Sequence, residues 1–222
     1  MNKADSEIQQ AVLSELRWDT RVKETDVGVE VDAGVVTLTG TVSSWAKRMA
    51  AQEAAHRVSG VLDVANDIQV KVPGSAGRTD TEIASAVRHA FEWDVFVPEA
   101  RIRTTVSDGW VTFEGDVDYW SQRDAAEKVV RNLTGVRGVS NKIEIKPPKV
   151  IPYDVRQSIE EALERRAERE ARRISVAVSD GRVTLSGVVR SWAEREAVIG
   201  AARGTPGVRS VDDHLRIEPY AA

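Results

Sequence analysis

The sequence predicts an α+β chain of three tandem small domains. Each runs helix-strand-strand-helix-strand, with a three-stranded mixed sheet covered on one face by two helices. Three observations predict this. First, residues recur in step: Gly34, Gly109 and Gly181; Gly40, Gly115 and Gly187; Trp45, Trp120 and Trp192; Arg48, Arg123 and Arg195; and Gly60, Gly135 and Gly207, always 75 and then 72 residues apart. Self-similarity at a fixed period marks repeated units, and a unit of about 65 residues is just large enough to bury its own core. Second, the apolar period switches from helical to alternating and back inside every unit. Third, a turn dipeptide falls between the alternating runs at the same place in each unit. The predicted domains are residues 5–73, 80–148 and 152–219. The linker VPGSAGRTD reads as flexible and KPPKVIPY as stiffer.

The first helix of each unit is read from Ile8, Ala11, Val12 and Leu16, from Ile83, Ala86, Val87, Ala90 and Phe91, and from Val155, Ile159, Ala162 and Leu163. Asp5 or Ser6, and Asp80, are expected as N-caps. A strand follows at Val27, Val29 and Val31 and at Ile174, Val176 and Val178, with Thr104 weakening the second copy. The turns are Ala33-Gly34, Asp108-Gly109 and Asp180-Gly181. Return strands carry Val36 and Leu38, Val111 and Phe113, and Val183 and Leu185. The second helix starts after Ser43 or Ser44, and after Asp118 in the second unit. Its packing face is Ala51, Ala54, Ala55 and Val58, and Gly60, Gly135 and Gly207 are expected to stop it. A last strand alternates at Val64, Asn66, Ile68 and Val70. A helical crossover between the second and third strands makes that pair parallel.

These glycines, with the segments VTLTGTVSSWAKRMAAQEAAHRVSGVLDVANDIQV and VTLSGVVRSWAEREAVIGAARGTPGVRSVDDHLRI, resemble the BON domain family in all three units. The family includes an osmotically induced periplasmic protein, outer-membrane lipoproteins, a cytoplasmic potassium-binding protein and pieces of secretins. The resemblance implies a binding role, most often toward phospholipid or another surface, and brings no catalytic residues.

The composition narrows the function classes. The net charge of −4 argues against binding nucleic acid by bulk attraction. Without cysteine there are no disulfides or thiolate metal sites. No run of 18 apolar residues occurs, so no transmembrane segment is expected. MNKADSEIQQ lacks the apolar centre of a secretory signal, so the chain reads as cytoplasmic, although a processed periplasmic chain would read the same. His56, His89 and His214 occupy unrelated positions and read as surface residues rather than metal ligands. No nucleophile elbow, phosphate loop or paired carboxylates stand out, so neither an enzyme nor a cofactor is expected.

Two groups of residues remain as candidate sites. The first is the repeated pair Trp45 and Arg48, Trp120 and Arg123, and Trp192 and Arg195. Spaced i and i+3 on one helix face, these can stack and serve either as a fold feature or as a recognition surface for headgroups or a partner domain. The second is ERRAEREARR in the third unit, the only unit with a positive balance. On a helix, Arg165, Arg166, Arg169, Arg172 and Arg173 fall within roughly 120°, forming a lipid- or anion-binding stripe. Trp18 and Trp93 mark a second aromatic position, where the third unit has Arg165. The expected partner is an anionic phospholipid surface or an envelope protein, bound multivalently by a non-enzymatic, stress-related chain. Potassium-ion sensing and self-assembly into a homo-oligomer are the alternatives.

Overall fold

The computed structural model describes residues 4–74, 78–147, 155–166 and 174–218, with side chains of the third segment described as far as Ala162. The predicted order appears three times. The first unit has α1 (Asp5–Trp18), β1 (Val27–Asp32), β2 (Val35–Val42), α2 (Trp45–Arg57), β3 (Asp63–Asn66) and β4 (Gln69–Val70). The second has α3 (Asp80–Trp93), β5 (Ile102–Ser107), β6 (Trp110–Val117), α4 (Trp120–Arg131) and β7 (Gly138–Ile145). The third has α5 (Val155–Arg166), β8 (Ile174–Ser179), β9 (Arg182–Val189), α6 (Trp192–Arg203) and β10 (Ser210–Ile217).

In each sheet the middle strand pairs antiparallel with the strand before it and parallel with the strand after the crossover helix. The sheets are therefore mixed. Each core lies between one sheet face and its two helices, as in the first unit with Ile8, Val12, Leu16, Val36, Leu38, Ala51 and Ala54. Alanines on α2 let that helix approach the sheet closely.

The hairpin turns bend through two residues of positive φ. Ala33 and Gly34 stand at 48° and 80°, Asp108 and Gly109 at 49° and 76°, and Asp180 and Gly181 at 49° and 77°. This is a type I′ turn, whose twist matches the flanking strands. The acidic residues that open α1 and α3 serve this turn and are not the N-caps expected of them. The Asp5 carboxylate accepts from the Ala33 and Gly34 N–H groups at 3.0 Å each, and Asp80 accepts from Asp108 at 2.8 Å and Gly109 at 2.9 Å. The capping residues are Ala4, without a side-chain bond, and Thr79, which forms a capping box with Glu82. A carboxylate placed inside the first turn is free to reach across to the hairpin while still favouring the positive end of the helix.

Three other expectations change. The second helices end at Arg57, Arg131 and Arg203, before the glycines expected to stop them, and Gly60, Gly135 and Gly207 take positive φ in the following turn. Asp118 does not cap α4; its carboxylate pairs with Arg101 at 2.8 Å, while the Gln122 side chain accepts from the N–H groups of Asp118 and Tyr119. The last strand of the first unit is interrupted between Asn66 and Gln69, whereas β7 and β10 are continuous.

Candidate functional site

The repeated Gly-to-Arg motif is built from the strand outward. Gly40 and Gly115 take φ of 120° and 137°. A Cβ at Gly40 would run into the carbonyl of Asp26, and one at Gly115 into that of Arg101, so the strand can pass its neighbour only as glycine. The chain then turns into a helix. Ser44 Oγ accepts from Lys47 N–H at 3.3 Å, and Ser191 Oγ from Glu194 N–H at 3.2 Å. That cap fixes where the first helical turn begins and sets tryptophan and arginine on one face.

The arginine reaches the last strand of its own unit. Arg123 donates to the Asn141 carbonyl at 3.0 Å, and the Asn141 amide returns a bond to the Arg123 carbonyl at 3.3 Å. Arg48 and Asn66 repeat this reciprocal clamp. In the third unit an aspartate takes the place of asparagine, and Arg195 forms an ion pair with Asp213 at 2.7 Å. The guanidinium carbons lie 5.2 Å from the Trp45 ring, 5.2 Å from Trp120 and 4.6 Å from Trp192, within cation–π range.

The tryptophan reaches a different unit, and it does so in cyclic order. Trp45 packs against the core of the second unit, with its ring 6.0 Å from Trp110. Trp120 meets the Arg203 guanidinium of the third unit at 4.6 Å. Trp192 packs against the core of the first unit and stacks on His56, 4.0 Å between centroids and 18° between planes. First on second, second on third and third on first closes a ring of three, the intramolecular counterpart of a cyclic trimer with one heterologous interface used repeatedly. All three rings are half-buried. Their Nε1 atoms are buried and have no hydrogen-bond partner among the described residues, so ring packing and cation contact hold them in place.

The motif is therefore both a clamp within each unit and a joint between units. Sequence reasoning missed the receiving residues. His56 and Arg203 receive Trp192 and Trp120, and with Arg131 they lie 75 and 72 residues apart, the same steps as the motif, which is the signal that could have found them. His56 is not the surface residue expected of it. It is half-buried, and burial, followed by the charge of Arg195, holds its pKa below the ordinary histidine value against the opposing pull of Asp63 and Glu53. Arg131 meets the first unit through Glu53 at 2.8 Å, and Glu53 also holds Arg21 at 2.8 Å. Asp19 lies between Arg21 and Arg57, whose hydrogen bonds pull its carboxyl far below the usual range.

The basic stripe lies at the margin of what is described. Arg165 and Arg166 end the backbone of α5, and Arg169, Arg172 and Arg173 fall outside the described residues. The end of the first helix is exposed in the other two units. Trp18 is 80% exposed; Trp93, Val95 and Phe96 are 88%, 90% and 68% exposed. Among the described residues no helix is long and apolar enough to cross a membrane, and no cluster of His, Cys, Asp and Glu could hold a metal ion.

The BON domain family matches residues 4–72, 79–147 and 154–219. Osmotically-inducible protein Y of Escherichia coli (strain K12) is 34% identical over 148 residues, covering 64% of this chain and 73% of that protein. Among solved structures, CdsD, a structural protein of the type III secretion system of Chlamydia trachomatis, aligns over 96% of this chain and 93% of its own at 13% identity. Its TM-score of 0.28 is too low to carry weight.

Proposed function

The chain belongs to the BON domain family, and from that premise we propose that it is a non-enzymatic, osmotic-stress-related binding protein that attaches to anionic phospholipid surfaces. One observation carries the attachment: Trp93, Val95 and Phe96 stand 68–90% exposed at the end of α3. Trp18 holds the place in the first unit that Trp93 holds in the second. Aromatic residues with one wet end favour the membrane–water interface. In the third unit the same place begins the arginine run 164–173, whose charge complements anionic headgroups. The three helix ends then act together, each weak alone and strong in sum. The likeness to an osmotically inducible protein supports the stress context.

Flotation of the full chain with vesicles of phosphatidylglycerol and phosphatidylcholine tests this. Binding is expected at low salt and should weaken as salt rises. Trp93→Ala with Phe96→Ala should lower it about tenfold or more, given about 1.5–3 kcal/mol for each large apolar side chain withdrawn from water. Arg165→Glu, Arg169→Glu and Arg172→Glu should abolish the preference for the anionic lipid. A chain that stays in the aqueous fraction at low salt rejects the lipid and leaves an envelope protein as the partner.

A further inference from the structure

The three units fill the space between the first helix and the edge strand in different ways. In the first unit Gln9 donates to the Val29 carbonyl at 2.7 Å, capping the outer edge of β1. Leu13 packs onto the core one turn later, and Arg17 and Glu24 close the end with a 2.7 Å ion pair. In the third unit the first two of these positions hold Arg156 and Glu160, joined at 2.8 Å. The second unit has Ala84, Arg88, Glu92 and Glu99 at the four positions. The capping amide becomes a methyl group, the packing leucine a solvated arginine, and the ion pair two carboxylates.

The result is a groove of about 660 Å³ between α3 and β5, with Phe91 and Ile102 among its walls. Edge-strand groups line it. The Val29 carbonyl, opposite Leu38, faces away from β2, since Gln9 bonds it from outside. Thr104, opposite Phe113, holds the same register in β5 and faces its own N–H and C=O away from β6. No side-chain cap reaches that carbonyl among the described residues. The six residues of β5 offer an edge of about 20 Å at about 3.3 Å per residue.

We propose that the second unit binds an extended segment of a partner protein as an added strand along β5. The segment is apolar at alternate positions, to meet Phe91 and Ile102, and carries a lysine or arginine where it passes Glu92 and Glu99. Main-chain bonds supply affinity in this mode, and alternate side chains supply selectivity. Local charge places the occupant's basic residue: neither Glu92 nor Glu99 has an ion pair among the described residues, and at the same place the first unit supplies its own arginine, while Arg88 and Arg103 balance the charge of the groove as a whole. The groove is a different surface from the exposed Trp93 and Phe96.

The test is a titration of the full chain, followed by amide NMR, with a blocked peptide of alternating threonine and valine bearing a lysine at each end. Binding with a Kd below about 1 mM is expected, with shifts centred on residues 102–106. Ala84→Gln with Arg88→Leu gives the second unit the residues the first unit already folds with, and should raise the Kd at least tenfold. Glu92→Arg lies on the exposed rim and should remove the preference for this peptide over one bearing glutamate at each end. The proposal is overturned by the absence of shifts at saturating peptide, or by equal binding of lysine and glutamate peptides to the unmodified chain. It is also overturned if Ala84→Gln with Arg88→Leu abolishes vesicle flotation and leaves peptide binding intact, which would make the groove a lipid site. If Trp93→Ala with Phe96→Ala abolishes flotation and the peptide still binds, both this groove and the separate lipid surface stand.

Discussion

The imidazole of His56 lies flat against the indole of Trp192, 4.0 Å between centroids, and through this contact the third unit closes onto the first. The groups facing the imidazole are Arg195, Glu53 and Asp63, and burial is the largest influence on it, holding its pKa down. The closed form therefore binds fewer protons than the open form at mildly acidic pH. Stability from this contact is full above the ordinary histidine pKa of about 6.5. It falls as pH drops through that value toward the depressed one and is level below it. Melting temperature should decline between pH 7.5 and 5.5, and His56→Phe should flatten the decline. The depressed carboxyls of Asp19, Asp116 and Glu82 respond only at lower pH and do not mask it.

Trp192→Ala should open the ring without unfolding any unit, because the Arg195–Asp213 tie inside the third unit does not depend on the indole. Small-angle scattering should show a larger radius of gyration, while far-ultraviolet circular dichroism stays unchanged. Trp45→Ala should behave alike at the junction of the first and second units, where Trp110 supports it. Collapse of secondary structure in either variant would mean that the indole belongs to the core of its own unit.

Asp80→Ala should destabilise the second unit. Its carboxylate satisfies two turn N–H groups, at 2.8 and 2.9 Å, that otherwise bond nothing described. A hydrogen bond to a charged group contributes about 1.5–3 kcal/mol. Asp80→Asn keeps an acceptor and should lose less. Urea denaturation of the two variants side by side measures the difference.

The fold was legible because its signals are local and repeated. A two-residue turn ending in glycine, a switch of apolar period and a helix beginning at serine can each be read from a few neighbouring residues. The step from Arg48 to Arg123 to Arg195 fixed the register of all three units. The tryptophan's destination was not legible, because it lies in another unit and nothing in the spacing of GTVSSWAKR points there. The helix-start aspartates were misread for a related reason. Asp5 and Asp80 suit a cap by residue type, but their acceptors are engaged by a turn 28 residues further on. The groove of the second unit appears only when Ala84 and Arg88 are set against Gln9 and Leu13 with the strand edge in view.

The third unit's clamp offers a test of whether its charge matters. Arg195 meets the Asp213 carboxylate at 2.7 Å, and the other carboxylate oxygen accepts from Leu215 N–H at 2.9 Å. Asn66 and Asn141 do the second job with an amide oxygen, and the arginine bonds a backbone carbonyl, with Arg48 Nε also reaching the Asn66 amide oxygen at 3.4 Å. Asp213→Asn therefore converts the third clamp into the arrangement the other two units already use. It should cost no more than about 1 kcal/mol, the usual net contribution of a partly exposed ion pair. Asp213→Leu removes the acceptor for Leu215 as well as the partner of a half-buried guanidinium, and should cost about 3 kcal/mol or more. Equal losses in the two variants, measured by urea denaturation, would show that the charge holds the helix to the strand in the third unit. A small loss for asparagine and a large one for leucine would show that the shared hydrogen-bond pattern does.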